Sequence, residues 1–145
     1  MERTVILLKP DAIHRNLIGT IIARIESRNL KIIALKMMQL GKSTLDDHYS
    51  HLVEKSFYGE IVTYMTKGPV VAMVVEWDGV VWNIRQLCGA TNPAEAGVGT
   101  IRAEFANNIR YNVIHVSDSV ESAENEIQRF LKDSELCAYD RVVIE

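Results

Sequence analysis

The sequence predicts an α+β domain in which amphipathic helices pack on a sheet of short apolar strands. Apolar runs of strand length recur at residues 4–8, 30–40, 70–75 and 113–116, and stretches with helical spacing separate them. The 145 residues are 48% hydrophobic and 24% charged, a composition and length that suit one domain over residues 1–145.

The first three elements are a strand, a helix and a strand. Residues 4–8 predict a buried strand that stops at Lys9-Pro10, because proline has no amide hydrogen to donate to a sheet. A helix follows, since isoleucines recur at helical spacing from Ile18 to Ile25. Residues 30–40 then return to a strand pattern.

Two helices and the strongest strand come next. Ser43 is followed three residues later by Asp46, which resembles a capping box and predicts a helix through Leu52. A second helix is predicted over residues 59–66. The valine-rich run at residues 70–75 then predicts a central strand.

The last third holds a helix, a long loop, a strand and a final helix. The helix is opened by Gly79 and closed by Gly89. Residues 90–111 show little periodicity and predict a loop, and long loops in compact domains are usually functional. Residues 113–116 form a last strand. Asp118 or Ser119 caps the final helix, whose apolar positions are Val120, Ala123, Ile127 and Phe130.

This order fits a ferredoxin-like βαββαβ plan with one extra helical segment. It leaves the order of the strands in the sheet open. The tail at residues 136–145 shows no clear pattern.

Composition excludes several classes of function. A net charge of -3 argues against nucleic-acid binding through a general positive surface. No apolar run is long enough to span a bilayer, and no signal-like segment opens the chain. Cys88 and Cys137 are far apart and form no metal-binding pair. We therefore expect a cytoplasmic protein with two reduced thiols and no membrane contact.

His115 is the first candidate for chemistry. The chain has no P-loop and no GxGxxG fingerprint, so any phosphate must be held by separate side chains. His115 interrupts an apolar strand, and a neutral imidazole can accept a phosphoryl group. From this segment alone, a core histidine bonded to a backbone carbonyl is the favoured alternative. Glu126, at the edge of the buried face of the last helix, could orient the ring.

The long loop and its flanks supply a second set of candidates: Arg85, Thr91, Arg102 and Asn112. Phosphoryl transfer needs fixed positive charge, and the planar fork of arginine grips two phosphate oxygens. Taken singly, each arginine is more simply a surface cation. Lys9 ends the first strand, at a sheet edge where ligands often bind, although a solvated strand end is the favoured interpretation of that position.

A metal site is conceivable at His48 and His51, which lie three residues apart on a predicted helix. No third ligand is evident, so solvent-exposed histidines are favoured and no protein metal site is predicted. Tyr49 and Phe57 are, on residue type alone, more simply packing aromatics.

Five segments together resemble the nucleoside diphosphate kinase family: residues 4–11, 67–73, 89–93, 99–102 and 112–124. The similarity runs from Glu2 to about Leu136. The Asn-x-x-His-x-Ser-Asp stretch around His115 is specific, and its combination with Lys9-Pro-Asp and Gly99-Thr-Ile-Arg102 in this order is more specific still.

The resemblance implies a ping-pong kinase in which His115 is phosphorylated and passes the phosphate between nucleotides such as ATP and GDP. Glu126 and Ser117 match the residues that orient His115. Positions that bind the phosphates and sugar are matched by Lys9, Tyr49, Arg85, Thr91, Arg102 and Asn112. Phe57 matches the aromatic on which the base stacks, with Ile109 on the other side of the base.

The resemblance also implies Mg²⁺ bound with the nucleotide phosphates and a homo-oligomeric assembly, with a hexamer favoured and a tetramer as the alternative. Three departures stand out. Val116 follows the histidine where relatives have a small residue, Val98 replaces a common proline, and Ala103-Glu104 replaces Gly-Asp. A valine at position 116 is costly only if that position needs φ > 0.

Two other functions compete with the kinase. A family member distorted by Val116 could bind nucleotides with weak or no turnover. An RNA-binding ferredoxin-like domain would stack bases on sheet aromatics. The strands here are aliphatic and the net charge is negative, so the RNA-binding interpretation ranks last.

Overall fold

The computed structural model describes residues 1–141, and part of the patternless tail, residues 142–145, lies outside that range. The elements are, in chain order, β1 (Glu2–Leu8), α1 (Pro10–His14), α2 (Ile18–Glu26), β2 (Lys31–Met38), α3 (Lys42–His48), α4 (Tyr58–Met65), β3 (Val70–Trp77), α5 (Val80–Cys88), α6 (Ile101–Phe105), β4 (Ile114–Val116) and α7 (Val120–Phe130). Short 3-10 turns lie at Pro93–Glu95 and Asp133–Glu135.

The four strands form one sheet in the order β2-β3-β1-β4, and every neighbouring pair is antiparallel. The predicted α+β fold, a ferredoxin-like βαββαβ core with helices on an antiparallel sheet, is confirmed. The short strand β4 lies at one edge and pairs with the carboxyl-terminal half of β1.

Helices cover both faces of the sheet. One face packs Ile6, Leu8 and Met73 against α2 and α5. The opposite face packs Leu7, Ala72 and Val74 against α3, α4 and α7. Because both faces are buried, β1 and β3 contain continuous apolar runs rather than an alternating pattern.

Several predicted boundaries are wrong. Pro10 ends β1 as expected, but it then starts the five-residue helix α1, where its missing amide hydrogen costs nothing. The Ser43 capping box does not form. Instead, α3 begins at Lys42 after Gly41, and the Lys42 ammonium pairs with Asp46 one turn later. This helix ends at His48 rather than at Leu52.

The predicted loop over residues 90–111 contains the short helix α6. The Thr100 hydroxyl accepts a hydrogen bond from the Ala103 amide at 3.2 Å and caps this helix. The last helix is capped in the same way, because the Ser119 hydroxyl accepts a hydrogen bond from the Ser122 amide at 3.1 Å. Ser119 is therefore the N-cap of α7, which settles the choice between Asp118 and Ser119. None of the helices in residues 1–141 has the length and hydropathy needed to cross a membrane.

Gly89 ends α5 as predicted, with φ at 82°. A Cβ atom added there would lie 2.7 Å from the Thr100 Cβ atom, so glycine is required both for the backbone angle and for the close approach of α6.

We expect Gly89→Ala to lower the free energy of unfolding by about 2–4 kcal/mol, because it adds both a strained φ and a clash. Urea denaturation of Gly89→Ala and of a control, Gly97→Ala, measures this. Gly97 has no atom within 4 Å of its added Cβ, so its loss should be much smaller. Equal losses in the two variants would show that Gly89 is not a packing constraint.

Candidate active site

His115 lies in the edge strand β4, directly opposite Leu7 of β1. Its neighbours Ile114 and Val116 point into the core on one face of the sheet, so the His115 ring emerges on the other face, toward α3 and α7. The sequence suggested that His115 interrupts this strand, but β4 is continuous through it. His115 alternates with two buried apolar residues.

The His115 ring contacts a carboxylate on α7. Its Nε2 atom is hydrogen-bonded to Oε1 of Glu126, and the Glu126 residue is only 6% exposed. The His115 side chain is 23% exposed, so it opens partly to solvent. Glu126 thus lies where the sequence placed it, at the boundary of the buried face. Ser117 is fully buried, and its hydroxyl makes no hydrogen bond to residues 1–141.

Sequence reasoning missed His48. The favoured interpretation, an exposed surface histidine, is wrong, because the His48 ring packs edge-on against His115 with 4.7 Å between centroids. Phe130 lies on another side at 5.1 Å. Burial, followed by the positive charge of neighbouring groups such as Arg129, lowers the pKa of His48 to about 3, so it is neutral at physiological pH. His51 is exposed as predicted.

Arg129 holds His48 in place. Its Nη1 atom lies 2.9 Å from His48 Nδ1 and donates to that nitrogen, and its Nε atom donates to Asp47 at 2.8 Å. Arg129 lies three residues after Glu126 and so shares its side of α7, but no local pattern in the sequence links it to His48.

One group of donors in the described residues has metal-like spacing. His48, His115 and Glu126 each offer a ligand atom, all within 4.8 Å of one another. Arg129 is bonded directly to His48, and further cations line the same cavity, so positive charge disfavours a resident divalent ion there.

Lys9 and Asn112 form the centre of the site. The Lys9 ammonium donates to Asn112 Oδ1 at 2.7 Å, and Asn112 Nδ2 donates to the Thr91 carbonyl at 3.0 Å. Asn112 is 2% exposed. Burial, reinforced by the charge of Arg102, lowers the pKa of Lys9 to about 8, while Asp11 opposes this shift. Lys9 is therefore no solvated strand end.

The two arginines differ in burial. Arg102 is buried on α6, and its two terminal nitrogens donate to the carbonyls of Gly89 at 2.9 Å and Ile114 at 2.7 Å. Its Nε atom has no partner in residues 1–141. Burial lowers the pKa of Arg102. Arg85 is exposed on α5 and lines the same cavity.

These side chains surround a polar cavity of about 520 Å³, which we call the histidine chamber. It is lined by all of Lys9, His48, Tyr49, Arg85, Thr91, Arg102, Asn112, His115 and Glu126. Four cationic side chains, counting Arg129, face it together with His115. The predicted candidates from the first strand, the long loop and the last strand are thus brought together.

A second, larger cavity of about 900 Å³ adjoins the first, and we call it the apolar chamber. Lys9, Tyr49, Thr91 and Asn112 line both, so the two chambers form one continuous cleft. Phe57, 40% exposed, and Ile109, 55% exposed, lie on the wall of the apolar chamber. Burial and the charge of Glu126 raise the pKa of Tyr49 to about 12, so its hydroxyl stays protonated.

The departures from the family pattern leave this cleft intact. Val116 lies in β4 and is not among the residues with positive φ, so valine is an ordinary strand residue there. Val98 is fully exposed on the loop before α6. Ala103 and Glu104 lie within α6, and Glu104 pairs with Arg24 at 2.5 Å.

A histidine bonded to a carboxylate lies at the edge of a ferredoxin-like sheet. It faces a cation-lined chamber, which continues into an apolar one. This combination defines a class of proteins suited to phosphate-bearing ligands. A sequence profile described as Nucleoside diphosphate kinase matches residues 2–136. The chain belongs to the nucleoside diphosphate kinase family.

Similarity to individual proteins supports the same family assignment. The nucleoside diphosphate kinase of Methanothermobacter thermautotrophicus is 50% identical over 97% of this chain and 93% of its own length. That of Archaeoglobus fulgidus is 46% identical over the same shares. A halophilic nucleoside diphosphate kinase from Halobacterium salinarum, solved in complex with CDP, superimposes with a TM-score of 0.93 at 39% identity, covering 97% of this chain and 93% of that one.

The lowered pKa of Lys9 makes a testable prediction for ligand binding. Lys9 loses its proton as the pH rises through about 8, so we expect the affinity for ADP to fall about tenfold or more between pH 7 and pH 9.5. In Lys9→Arg the guanidinium keeps its charge, and the fall should be much smaller. Isothermal titration calorimetry of both proteins measures this. Equal falls would assign the pH dependence to another group.

Proposed function

We propose that the chain moves the terminal phosphate of a nucleoside triphosphate to a nucleoside diphosphate through a phosphorylated His115. The observation that carries this proposal is the pairing of His115 Nε2 with a buried carboxylate, beside a chamber lined with cations. Family membership supports the activity, and the geometry supports this choice of residues.

Glu126 determines which nitrogen reacts. A carboxylate that bonds Nε2 keeps the proton on that nitrogen, so the lone pair resides on Nδ1. As positive charge develops on the ring during transfer, the buried carboxylate stabilises it. Nδ1 is therefore the nucleophile, and Glu126 acts as its orienting partner. We propose that the buried Ser117 supports this arrangement, as the family resemblance implies.

The reaction proceeds in two matched halves. In the first, the bond between the γ-phosphorus and the β,γ-bridging oxygen breaks as a bond to His115 Nδ1 forms, and the diphosphate leaves. In the second, an oxygen of a different diphosphate attacks the phosphohistidine and restores free His115. Splitting the transfer lets one cleft serve both nucleotides in turn.

The cations of the histidine chamber have the task of positioning the phosphates. Lys9, Arg85 and Arg102 supply fixed charge for the moving phosphoryl group, which needs positioning and electrostatic stabilisation rather than further covalent chemistry. The protonated Tyr49 hydroxyl, Thr91 and Asn112 provide hydrogen bonds to phosphate and sugar oxygens. All of these side chains line the chamber next to His115.

The apolar chamber suits the nucleobase. Phe57 and Ile109 lie on its wall, and an aromatic face accepts any base because every base has a π-face. This supports a broad nucleotide range, which includes ATP as donor and GDP as acceptor.

Mg²⁺ fits the cleft as an ion carried by the nucleotide. Asp118 lines the histidine chamber, and hydrogen bonds from Ser122 lower the pKa of its carboxyl, so it can accept hydrogen bonds from the water shell of the ion. The ion supplies charge neutralisation on the phosphates when bound.

Assembly and location complete the proposal. Residues 1–145 form one domain, which the match over residues 2–136 supports. Leu35 and Met37 are exposed on the edge strand β2, which supports a homo-oligomer. The preference for a hexamer over a tetramer rests on the family resemblance. The free Cys88 and Cys137 support a cytoplasmic location. Light scattering distinguishes the two assemblies.

We expect γ-labelled ATP with Mg²⁺ to label the protein at His115, and unlabelled GDP to remove the label as GTP. The label should be acid-labile, as a phosphorus–nitrogen bond is. His115→Gln should take up no label, because its side chain has no nucleophilic nitrogen. The exposed His14→Gln, which lines neither chamber, is the matched control and should label normally. ADP binding without label in the native protein would favour a nucleotide-binding member without turnover.

We expect Phe57→Ala to raise the KM for purine and pyrimidine nucleotides alike by about tenfold, because stacking contributes about 1–3 kcal/mol per base. Steady-state kinetics with ADP, GDP and CDP measures this. Trp82→Ala removes an exposed aromatic that does not line either chamber and is the control. An unchanged KM in Phe57→Ala would place the base elsewhere.

A further inference from the structure

The chain makes a strained turn just before His115. Val113 has φ of 64°, and the Ile114 amide donates to the Asn112 carbonyl at 2.8 Å, which closes a three-residue γ-turn. This form, with a positive φ at its centre, is rare and strained, and a β-branched residue is especially unfavourable there. The other non-glycine residues with positive φ in the described chain are asparagines, which tolerate that region.

Both backbone groups of Val113 are tied to the end of β1 and the start of α1. Its amide donates to Asp11 Oδ2 at 3.2 Å, and its carbonyl accepts from the Lys9 amide at 2.9 Å. The other oxygen of Asp11 accepts from the Tyr64 hydroxyl, which fixes the carboxylate. The Val113 side chain is fully buried in the core. A strained conformation persists where its surroundings impose it in this way.

The turn determines where two proposed site residues point. Asn112 immediately precedes Val113, and its side chain bridges the Lys9 ammonium at 2.7 Å and the Thr91 carbonyl at 3.0 Å. His115 follows two residues later, in the middle of the three residue pairs that join β4 to β1. If Val113 relaxed to an extended φ, the Asn112 side chain and the start of β4 would rotate away from Lys9.

We propose that Asp11 is a positioning residue that holds Val113 in its strained turn and so fixes Asn112 and His115 relative to Lys9 for phosphoryl transfer. This inference rests on the proposed function. It assigns a task to a carboxylate that lines neither chamber. It also explains how valine is kept at a position that glycine or asparagine would occupy more easily.

A double-mutant cycle tests the inference. Asp11→Ala removes the hydrogen bond that opposes relaxation. Val113→Gly removes the cost of positive φ, so the turn no longer needs to be held. Val113→Ala is the matched control, because it loses nearly the same packing but keeps a Cβ and therefore the strain. The readout is the single-turnover rate of His115 phosphorylation by saturating ATP, per folded molecule, at a temperature where circular dichroism shows every variant folded.

We expect Asp11→Ala to slow transfer about tenfold or more in the native and the Val113→Ala backgrounds, and less than about threefold in the Val113→Gly background. Asp11→Asn keeps an oxygen that can accept from the Val113 amide and should retain most of the rate. That result would separate hydrogen bonding from the charge that Asp11 exerts on Lys9.

Equal losses in the Val113→Gly and Val113→Ala backgrounds would overturn the inference, because the effect of Asp11 would then not act through the turn. If Asp11→Ala in the native background leaves the rate per folded molecule unchanged, Asp11 has a purely structural role and the inference is overturned as well. If the native protein takes no label from ATP, the proposed function itself fails and the positioning role falls with it. If the native protein takes up label but the effects of Asp11→Ala and Val113→Gly are independent, only the positioning role is rejected.

Discussion

The site depends on the short antiparallel pairing between β4 and β1. Three residue pairs form it, with Leu7 opposite His115, and the Lys9 amide extends it by bonding the Val113 carbonyl. This pairing places a histidine from the end of the chain beside a lysine from its beginning. Since Leu7 and His115 lie on the face covered by α3 and α7, the same contact presents His115 to Glu126 and His48. If β4 shifted by one residue, His115 would turn into the opposite core.

The two chambers of the cleft differ in chemistry and, in the proposed function, bind different parts of the nucleotide. The histidine chamber concentrates cations beside a half-buried imidazole, while the apolar chamber offers Phe57 and Ile109 to a flat ring. The residues that line both chambers are polar, and all except the exposed Thr91 are at least partly buried. In the proposed function they lie between the base and the phosphates of the nucleotide. Fixed dipoles and charges in such a place need little rearrangement during transfer. The strained Val113 turn contributes to this preorganisation, because it holds Asn112 in one orientation.

Much of the fold follows from local pattern, and much of the site does not. Valine-rich β3 and the amphipathic α7 were predictable because burial controls their composition. The helix at Pro10 and the helix at Ile101 were missed, since each has five residues and is too short for a periodic signal. Residue type and position offered His115, Lys9 and the two arginines as candidates, and the family resemblance gave each of them a role. Residue patterns alone favoured a surface position for His48, because its partners Arg129 and His115 are distant in sequence.

Glu126 holds His115 Nε2 and, in the proposed mechanism, leaves Nδ1 to accept the phosphate. Heteronuclear ³¹P–¹⁵N NMR of the phosphorylated protein, prepared with labelled histidine, distinguishes the two nitrogens. We expect the phosphorus to couple to Nδ1 and Nε2 to carry a proton. A phosphorus bonded to Nε2 would contradict it, because Glu126 would then face the phosphate and could not orient the ring as the structure indicates.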